Sequence, residues 1–73
     1  MYRFSRITIR KEDRPKADEI ILEHWSLGDI DEVRVEEFIS NGVRMTTYRL
    51  RLYVSEDLKI MVHKLKLNGI ELF

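Results

Sequence analysis

The chain has 73 residues, no cysteine, and 13 basic against 13 acidic side chains, so its formal net charge is zero. A domain of this size buries only about 60% of the surface that its unfolded chain exposes, which leaves no room for a deep cleft between domains. The lack of cysteine excludes a disulfide framework, a thiolate zinc site and a cysteine nucleophile, and zero net charge argues against bulk electrostatic binding to nucleic acid or membrane.

The chain also lacks the marks of a membrane or secreted protein. Its apolar runs are far shorter than the roughly 18 residues of a membrane span, and Met1-Tyr2-Arg3-Phe4 is not the apolar core of a signal peptide. We therefore predict one domain over residues 1–73, soluble and cytoplasmic, with no membrane contact.

The first predicted element is a β-strand from Tyr2 to Arg10. Ile7 and Ile9 alternate with polar residues, which is the period of a strand with one buried face. Tyr2 and Phe4 are in phase with the polar positions. Two interpretations stay open: both rings lie on the polar face, or a β-bulge turns them towards the core.

A charged turn, Lys11 to Arg14, leads into an amphipathic helix predicted over Pro15 to Ser26. Proline fits the first turn of a helix, and Asp13 or Arg14 is the expected cap. Gly28 is expected to end the helix. The apolar positions recur at spacings of three and four: Ala17, Ile20, Ile21, His24, and Trp25 or Leu27.

The centre of the chain predicts a β-hairpin between Ile30 and Val54, with Asn41-Gly42 as its turn. Asn-Gly favours a two-residue type I′ turn, in which both residues have positive φ. The turn fixes the register, and a slip of one residue would exchange the two faces. One face then pairs Val33 with Leu50 and Val35 with Tyr48, and the other pairs Glu32 with Arg51, Arg34 with Arg49, Glu36 with Thr47 and Phe38 with Met45.

A second helix is predicted from Ser55 to Asn68-Gly69, followed by a short strand over Ile70 to Phe73. Ser55 can cap the first free amides, and the acids Glu56 and Asp57 favour the positive end of the helix dipole. Its buried stripe is Leu58, Met61, Val62 and Leu65.

This β-α-β-β-α-β order matches the ferredoxin-like split βαβ arrangement. We predict an α+β two-layer sandwich with two helices on one face of a four-stranded antiparallel sheet, the first and third strands being central. A swapped dimer or a rearranged sandwich with the same order would give the same pattern.

The helices are expected to cover one sheet face and leave the other open. The covered residues are Ile7, Ile9, Val33, Val35, Tyr48, Leu50, Leu52 and Ile70. The open face carries Arg6, Arg10, Arg34, Arg49, Arg51, Phe38, Met45 and Tyr53. Tyr2 and Phe4 join it if no bulge intervenes, and Phe73 is a further possible member. Arg34 opposite Arg49 costs stability unless Glu32, Glu36 or an external anion compensates.

Arginine, aromatic residues and methionine are enriched in protein interfaces. We therefore predict a non-catalytic interaction module that binds a protein partner or a second copy of itself through this face. The predicted binding residues are Arg34, Arg49, Arg51, Phe38, Tyr53, Arg6, Tyr2 and Phe4.

Two alternatives remain for the open face. It could bind single-stranded RNA, with the arginines on phosphates and Tyr2, Phe4 and Tyr53 stacking on bases, although Thr47 to Val54 lacks the glycine-spaced aromatic pattern of the RNA-recognition motif. It could also be only a solvated, salt-bridged surface.

Enzyme and metal chemistry find little support in the sequence. For His24 and His63, no third group is evidently positioned to orient the ring. Asp29, Asp31 and Glu32 resemble the start of an acidic metal loop but run into a strand, without the glycine turn and terminal glutamate of a calcium site. No catalytic residue, metal or cofactor is expected.

Overall fold

The computed structural model describes residues 2–73, which form a three-stranded sheet and two helices. Strand β1 (Arg3–Arg10) passes through one 3-10 turn (Lys11–Asp13) into α1 (Arg14–Ser26). The hairpin follows as β2 (Ile30–Ser40) and β3 (Val43–Leu52), and α2 (Ser55–Leu67) is the last regular element. Neither helix is long and apolar enough to cross a membrane.

The prediction of a four-stranded ferredoxin-like sheet is wrong. The sheet is antiparallel with the order β1-β3-β2, so β3 is central while β1 and β2 are edge strands. The predicted fourth strand, Ile70 to Phe73, lies beside β1 but makes one backbone hydrogen bond to it, from the Phe73 amide to the Thr8 carbonyl (3.0 Å).

The way α2 ends explains why the fourth strand does not form. The Ile70 amide bonds back to the Leu65 carbonyl (3.1 Å) and the Gly69 amide to the Lys66 carbonyl (3.0 Å), which is the pattern of a Schellman motif. Gly69 supplies the positive φ, 74°. Because the Ile70 amide is bonded to the helix end and its side chain is buried in the core, Ile70 does not donate to β1, and no regular ladder forms from it.

The hairpin has the predicted turn and register. Asn41 and Gly42 have φ of 51° and 78°, as a type I′ turn requires. The pairs run from Ser40 opposite Val43 to Glu32 opposite Arg51, and the one irregularity between β2 and β3 lies between Ile30 and Glu32.

Strand β1 pairs with β3 one-to-one from Arg3 to Arg10. The bulge considered for Tyr2 and Phe4 is therefore wrong, and both rings are on the open side. Phe4 stands opposite Arg51 and is 80% exposed.

One core joins the helices to the covered sheet face. Six of the eight residues predicted to be covered are buried: Ile7, Ile9, Tyr48, Leu50, Leu52 and Ile70. Val33 is only partly buried and Val35 is 41% exposed, so the prediction is wrong for Val35. The reason is that β2 is an edge strand, and its residues from Arg34 to Ser40 are all exposed.

The helix starts differ slightly from those predicted. Helix α1 begins at Arg14 with Pro15 in its first turn, and Asp13 is the cap residue without a side-chain cap bond. Ser55 is the first residue of α2 and does not cap it, since the cap position is Val54. Glu56 and Asp57 lie in the first turn of α2, as the sequence predicts. Gly28 follows α1 with a φ of 84°, also as predicted.

Candidate protein-interaction face

The central feature of the open face is a row of three arginines, one from each strand. Arg6 of β1 and Arg34 of β2 both stand opposite Arg49 of β3. Directly opposite residues on antiparallel strands have Cβ atoms about 4.5–5.5 Å apart. We call these three residues the arginine row. The strand pairing therefore holds three positive charges side by side.

Two glutamates compensate part of this charge, as the sequence predicts. Arg34 Nε lies 2.9 Å from Glu32 Oε1, and Arg49 Nε lies 3.1 Å from Glu36 Oε1. The side chains of Arg34 and Arg49 remain 74% and 46% exposed, so solvent screens both pairs strongly. Arg6 contacts no carboxylate within residues 2–73. The row thus has more positive charge than its neighbours neutralise.

Arg51, the fourth predicted arginine, is held by an acid beside the row. Its Nε donates to Asp31 Oδ2 (2.5 Å), and the Tyr53 hydroxyl donates to Asp31 Oδ1 (2.7 Å). The Tyr53 hydrogen bond, followed by that of Arg51, lowers the pKa of Asp31. The same bond to Asp31 raises the pKa of Tyr53 to about 12, because the carboxylate favours the protonated phenol.

Tyr2 and Tyr53, both predicted as binding residues, pack on each other. The Tyr2 and Tyr53 ring centroids are 5.3 Å apart, and the Arg51 guanidinium lies 4.8 Å from the Tyr2 centroid. The Tyr2 ring thus has two contacts within the chain. Phe4 is different: it points to solvent with 80% of its surface exposed.

A shallow depression of about 460 Å³ joins these features on the open face. Its lining residues are Phe4, Ser5, Arg6, Glu32, Arg34, Arg49, Leu50 and Arg51. The structure therefore brings five predicted site residues together in one concave surface: Arg6, Arg34, Arg49, Arg51 and Phe4. Tyr2 and Tyr53 flank it through their contacts with Arg51 and Asp31.

Phe38 does not belong to this group. It is four residues beyond Arg34 on β2, which is about 13 Å along an extended strand, and a row with a hydrogen bond between Thr8 and Thr47 (2.8 Å) intervenes. Phe38 stands opposite Met45, which is buried at 6% exposure, and Arg10 at that end contacts the Phe73 ring.

His24 has partners that the sequence analysis missed. Its Nδ1 lies 2.8 Å from Asp29 Oδ2 and its Nε2 lies 3.0 Å from Lys64 Nζ, so the expectation that no group orients the ring is wrong. Because the Lys64 ammonium group can only donate a hydrogen bond, Nε2 of His24 accepts one from it. Nδ1 therefore carries the ring N–H and donates a hydrogen bond to the Asp29 carboxylate. The turn at Gly28, where the Asp29 amide bonds to the His24 carbonyl (3.0 Å), is the local signal that could have revealed Asp29.

The His24 contacts link α1 to α2. The ring is 4% exposed, and its two nitrogens contact the Asp29 carboxylate and the Lys64 ammonium group. His63 is exposed on α2. Of the predicted acidic loop, Asp29 bonds to His24 and Asp31 to Arg51. Across residues 2–73, no three His, Asp or Glu side chains are arranged to hold a metal ion.

Comparisons with known proteins identify the fold. Neither a protein-family model nor a curated protein matches this chain. The crystal structure of TsrL is similar with a TM-score of 0.67 and 11% identity over 88% of this chain, which spans about a fifth (20%) of the TsrL chain. The solution structure of the C-terminal domain of the MgtC protein from Mycobacterium tuberculosis is similar with a TM-score of 0.57 and 17% identity, covering 99% of this chain and 78% of that domain. At these identities the likeness establishes a small α+β fold.

Proposed function

We propose that this chain is a small non-catalytic interaction module that binds a protein through its open sheet face. The observation that carries the proposal is the arginine row beside Phe4, on a face that neither helix covers. Arginine and aromatic side chains supply a large share of the binding energy in protein interfaces. The occurrence of this fold as a domain of MgtC is compatible with such a role.

Binding to protein explains the face better than binding to single-stranded RNA. Base recognition of this kind needs free aromatic rings. Of the three predicted platforms, Tyr2 and Tyr53 pack on each other and Arg51 lies over Tyr2, while Phe4 alone is largely free.

Site-specific photo-crosslinking tests the proposal. We would replace Phe4 by benzoylphenylalanine, and as a control Leu22, which is 54% exposed on α1, and irradiate cells of the source organism expressing each variant. We expect a protein adduct from position 4 and none of the same mass from position 22. Adducts from position 22 alone, or adducts of RNA, would contradict the proposal.

The purified partner then allows the interface to be mapped by calorimetry. Arg49→Glu is expected to weaken binding at least about tenfold, because it places a like charge against whatever anion the row binds. Phe4→Ala is expected to weaken binding more than Phe38→Ala, because Phe38 lies outside the depression. If the adduct is a second copy of the chain, sedimentation should show a dimer that Arg49→Glu dissociates.

A further inference from the structure

We infer that the segment bound by the open face is acidic: a peptide with an Asp or Glu carboxylate over the arginine row and a neighbouring apolar side chain against Phe4. The inference rests on the proposed function and adds the chemistry of the partner. Its basis is the charge and geometry of the depression.

The charge of the row calls for an external carboxylate. Arg6, Arg49 and Arg34 stand opposite one another on the three strands and line one depression, and within residues 2–73 the carboxylates that contact them are those of Glu32 and Glu36. Like charges directly opposite on neighbouring strands destabilise a sheet. A partner carboxylate would neutralise the remaining positive charge, so the contact gains free energy from relieving repulsion as well as from its own hydrogen bonds.

The geometry of the row suits a carboxylate. Arg49 is the middle residue, with Arg6 on one side and Arg34 on the other, so an anion above Arg49 is within reach of all three guanidinium groups. A guanidinium presents planar, paired N–H donors that match the two oxygens of a carboxylate. Arg6 is the strongest candidate donor, since no carboxylate of residues 2–73 contacts it.

The apolar part of the site is Phe4. A phenylalanine that is 80% exposed beside four arginines gains from burial, because covering apolar surface contributes about 25 cal/mol per Å². The depression of about 460 Å³ is open to solvent along the sheet, which suits a length of chain with a few side chains. The expected ligand therefore combines an acid with an adjacent large apolar residue.

Fluorescence anisotropy with designed peptides tests this inference. The probe is a short labelled peptide in which glutamates flank a leucine, and its control has glutamine in place of each glutamate. We expect the glutamate peptide to bind at least about tenfold more tightly, as for hydrogen bonds to a charged group. The binding should weaken between about 0.05 M and about 0.3 M salt, where screening shortens from beyond 10 Å to below it.

Matched variants locate the binding. Arg49→Gln and Arg6→Gln should each reduce the affinity for the glutamate peptide about tenfold, whereas Arg44→Gln should not change it. Arg44 is on the same strand but is two residues from Thr46 on the covered side, at the exposed hairpin end. Neutral substitutions in the row relieve repulsion, so these variants are expected to fold, and urea unfolding is the check that they do.

The outcomes separate this inference from the proposed function. Equal binding of the glutamate and glutamine peptides would overturn the acidic partner, while crosslinks from position 4 could still identify a protein on this face. Equal loss of affinity in Arg44→Gln and Arg49→Gln would overturn the row as the site. If a single-stranded RNA displaces the glutamate peptide and binds more tightly than it does, the inference of an acidic peptide ligand is overturned in favour of a nucleic acid.

Discussion

At the scale of single residues, the hydroxyl of Tyr48 is a polar group that the core must supply with a hydrogen-bond partner. The side chain is 1% exposed, and its hydroxyl donates to Asp18 Oδ1 on α1 (2.5 Å). Asp18 in turn faces Arg14, with Nε and Oδ2 3.3 Å apart. Burial, with the Asp18 hydrogen bond as the next cause, raises the pKa of Tyr48 well above its ordinary value. A buried phenol is thus kept protonated beside a carboxylate.

Replacing Tyr48 by phenylalanine tests this hydrogen bond. We expect the free energy of unfolding in urea to fall by about 1–2 kcal/mol, because Asp18 loses a buried donor. Tyr53→Phe is the control: it removes a hydroxyl that also bonds to a carboxylate, but on a side chain that is 47% exposed, and a smaller loss is expected. Equal losses in the two variants would mean that burial does not strengthen the Tyr48 bond.

The pH dependence follows from the same pKa. Since the folded state holds the Tyr48 proton more tightly than the unfolded chain does, this contribution to stability is complete below the unfolded pKa of about 10 and is lost as the pH rises above it. The wild type should therefore lose more free energy of unfolding above about pH 10 than Tyr48→Phe. Parallel losses would contradict the raised pKa.

Sequence reasoning reaches those residue contacts that strand register determines. Because Arg34 and Arg49 are opposite each other, Glu32 and Glu36 could be identified as their compensating acids. Tyr48 bonds to Asp18, which lies on another element 30 residues away along the chain. His24 contacts Lys64, which lies on another element 40 residues away. Periodicity predicts which face a residue occupies, but not which distant side chain meets it there.

At the scale of elements, the turn of the hairpin is the strongest local constraint. Gly42 has φ of 78°, and a Cβ built on it would contact nothing within 4 Å. Any cost of Gly42→Ala is therefore conformational, about 1–2 kcal/mol for a left-handed residue with a side chain. Asn41→Gly should change the free energy of unfolding by less than about 0.5 kcal/mol. Urea unfolding measures the free energy of unfolding of both variants. If that of Gly42→Ala equals the wild-type value, the turn adapts to the new side chain.

The fourth strand, which was predicted over Ile70 to Phe73 but does not form, illustrates the limit of predicting strands from alternation. Ile70 and Leu72 alternate as in a strand, and both contribute to the core, Ile70 buried and Leu72 packed against it. Alternation reports which side chains point inward, whereas a strand also requires free amides. The Ile70 amide closes α2. A helix-ending Asn-Gly so close to the end of the alternation was the available warning.

At the scale of the whole molecule, residues 70–73, which we call the tail, stabilise the fold through their side chains more than through backbone pairing with β1. Ile70 is 4% exposed within the core, whereas Phe73 is 59% exposed. We expect Ile70→Ala to lower the free energy of unfolding by about 2–4 kcal/mol, as for other buried isoleucines. Phe73→Ala should cost less than about 1 kcal/mol, since it removes mainly the contact of its ring with Arg10. A larger loss for Phe73→Ala would mean that the tail pairs as a strand after all.

The α+β class, the helical layer and the open face all follow from the sequence, because apolar periodicity and one Asn-Gly turn determine them. The pairing of Arg34 with Arg49 also follows from the hairpin turn, whereas the place of Arg6 beside Arg49 comes from the register of β1 against β3, which the sequence pattern does not give. The identity of the partner does not follow, because strand alternation and register place charges on the face without specifying the chain that meets them.

The two outer edges of the sheet differ in how they can meet a second copy of the chain. Phe73 occupies part of the outer edge of β1 with its amide on Thr8, while β2 has β3 on one side and no strand of residues 2–73 on the other. A fibre that grows by strand addition needs two free edges on every subunit. With one edge obstructed, pairing through β2 would close at two molecules by isologous contact instead of propagating into a filament.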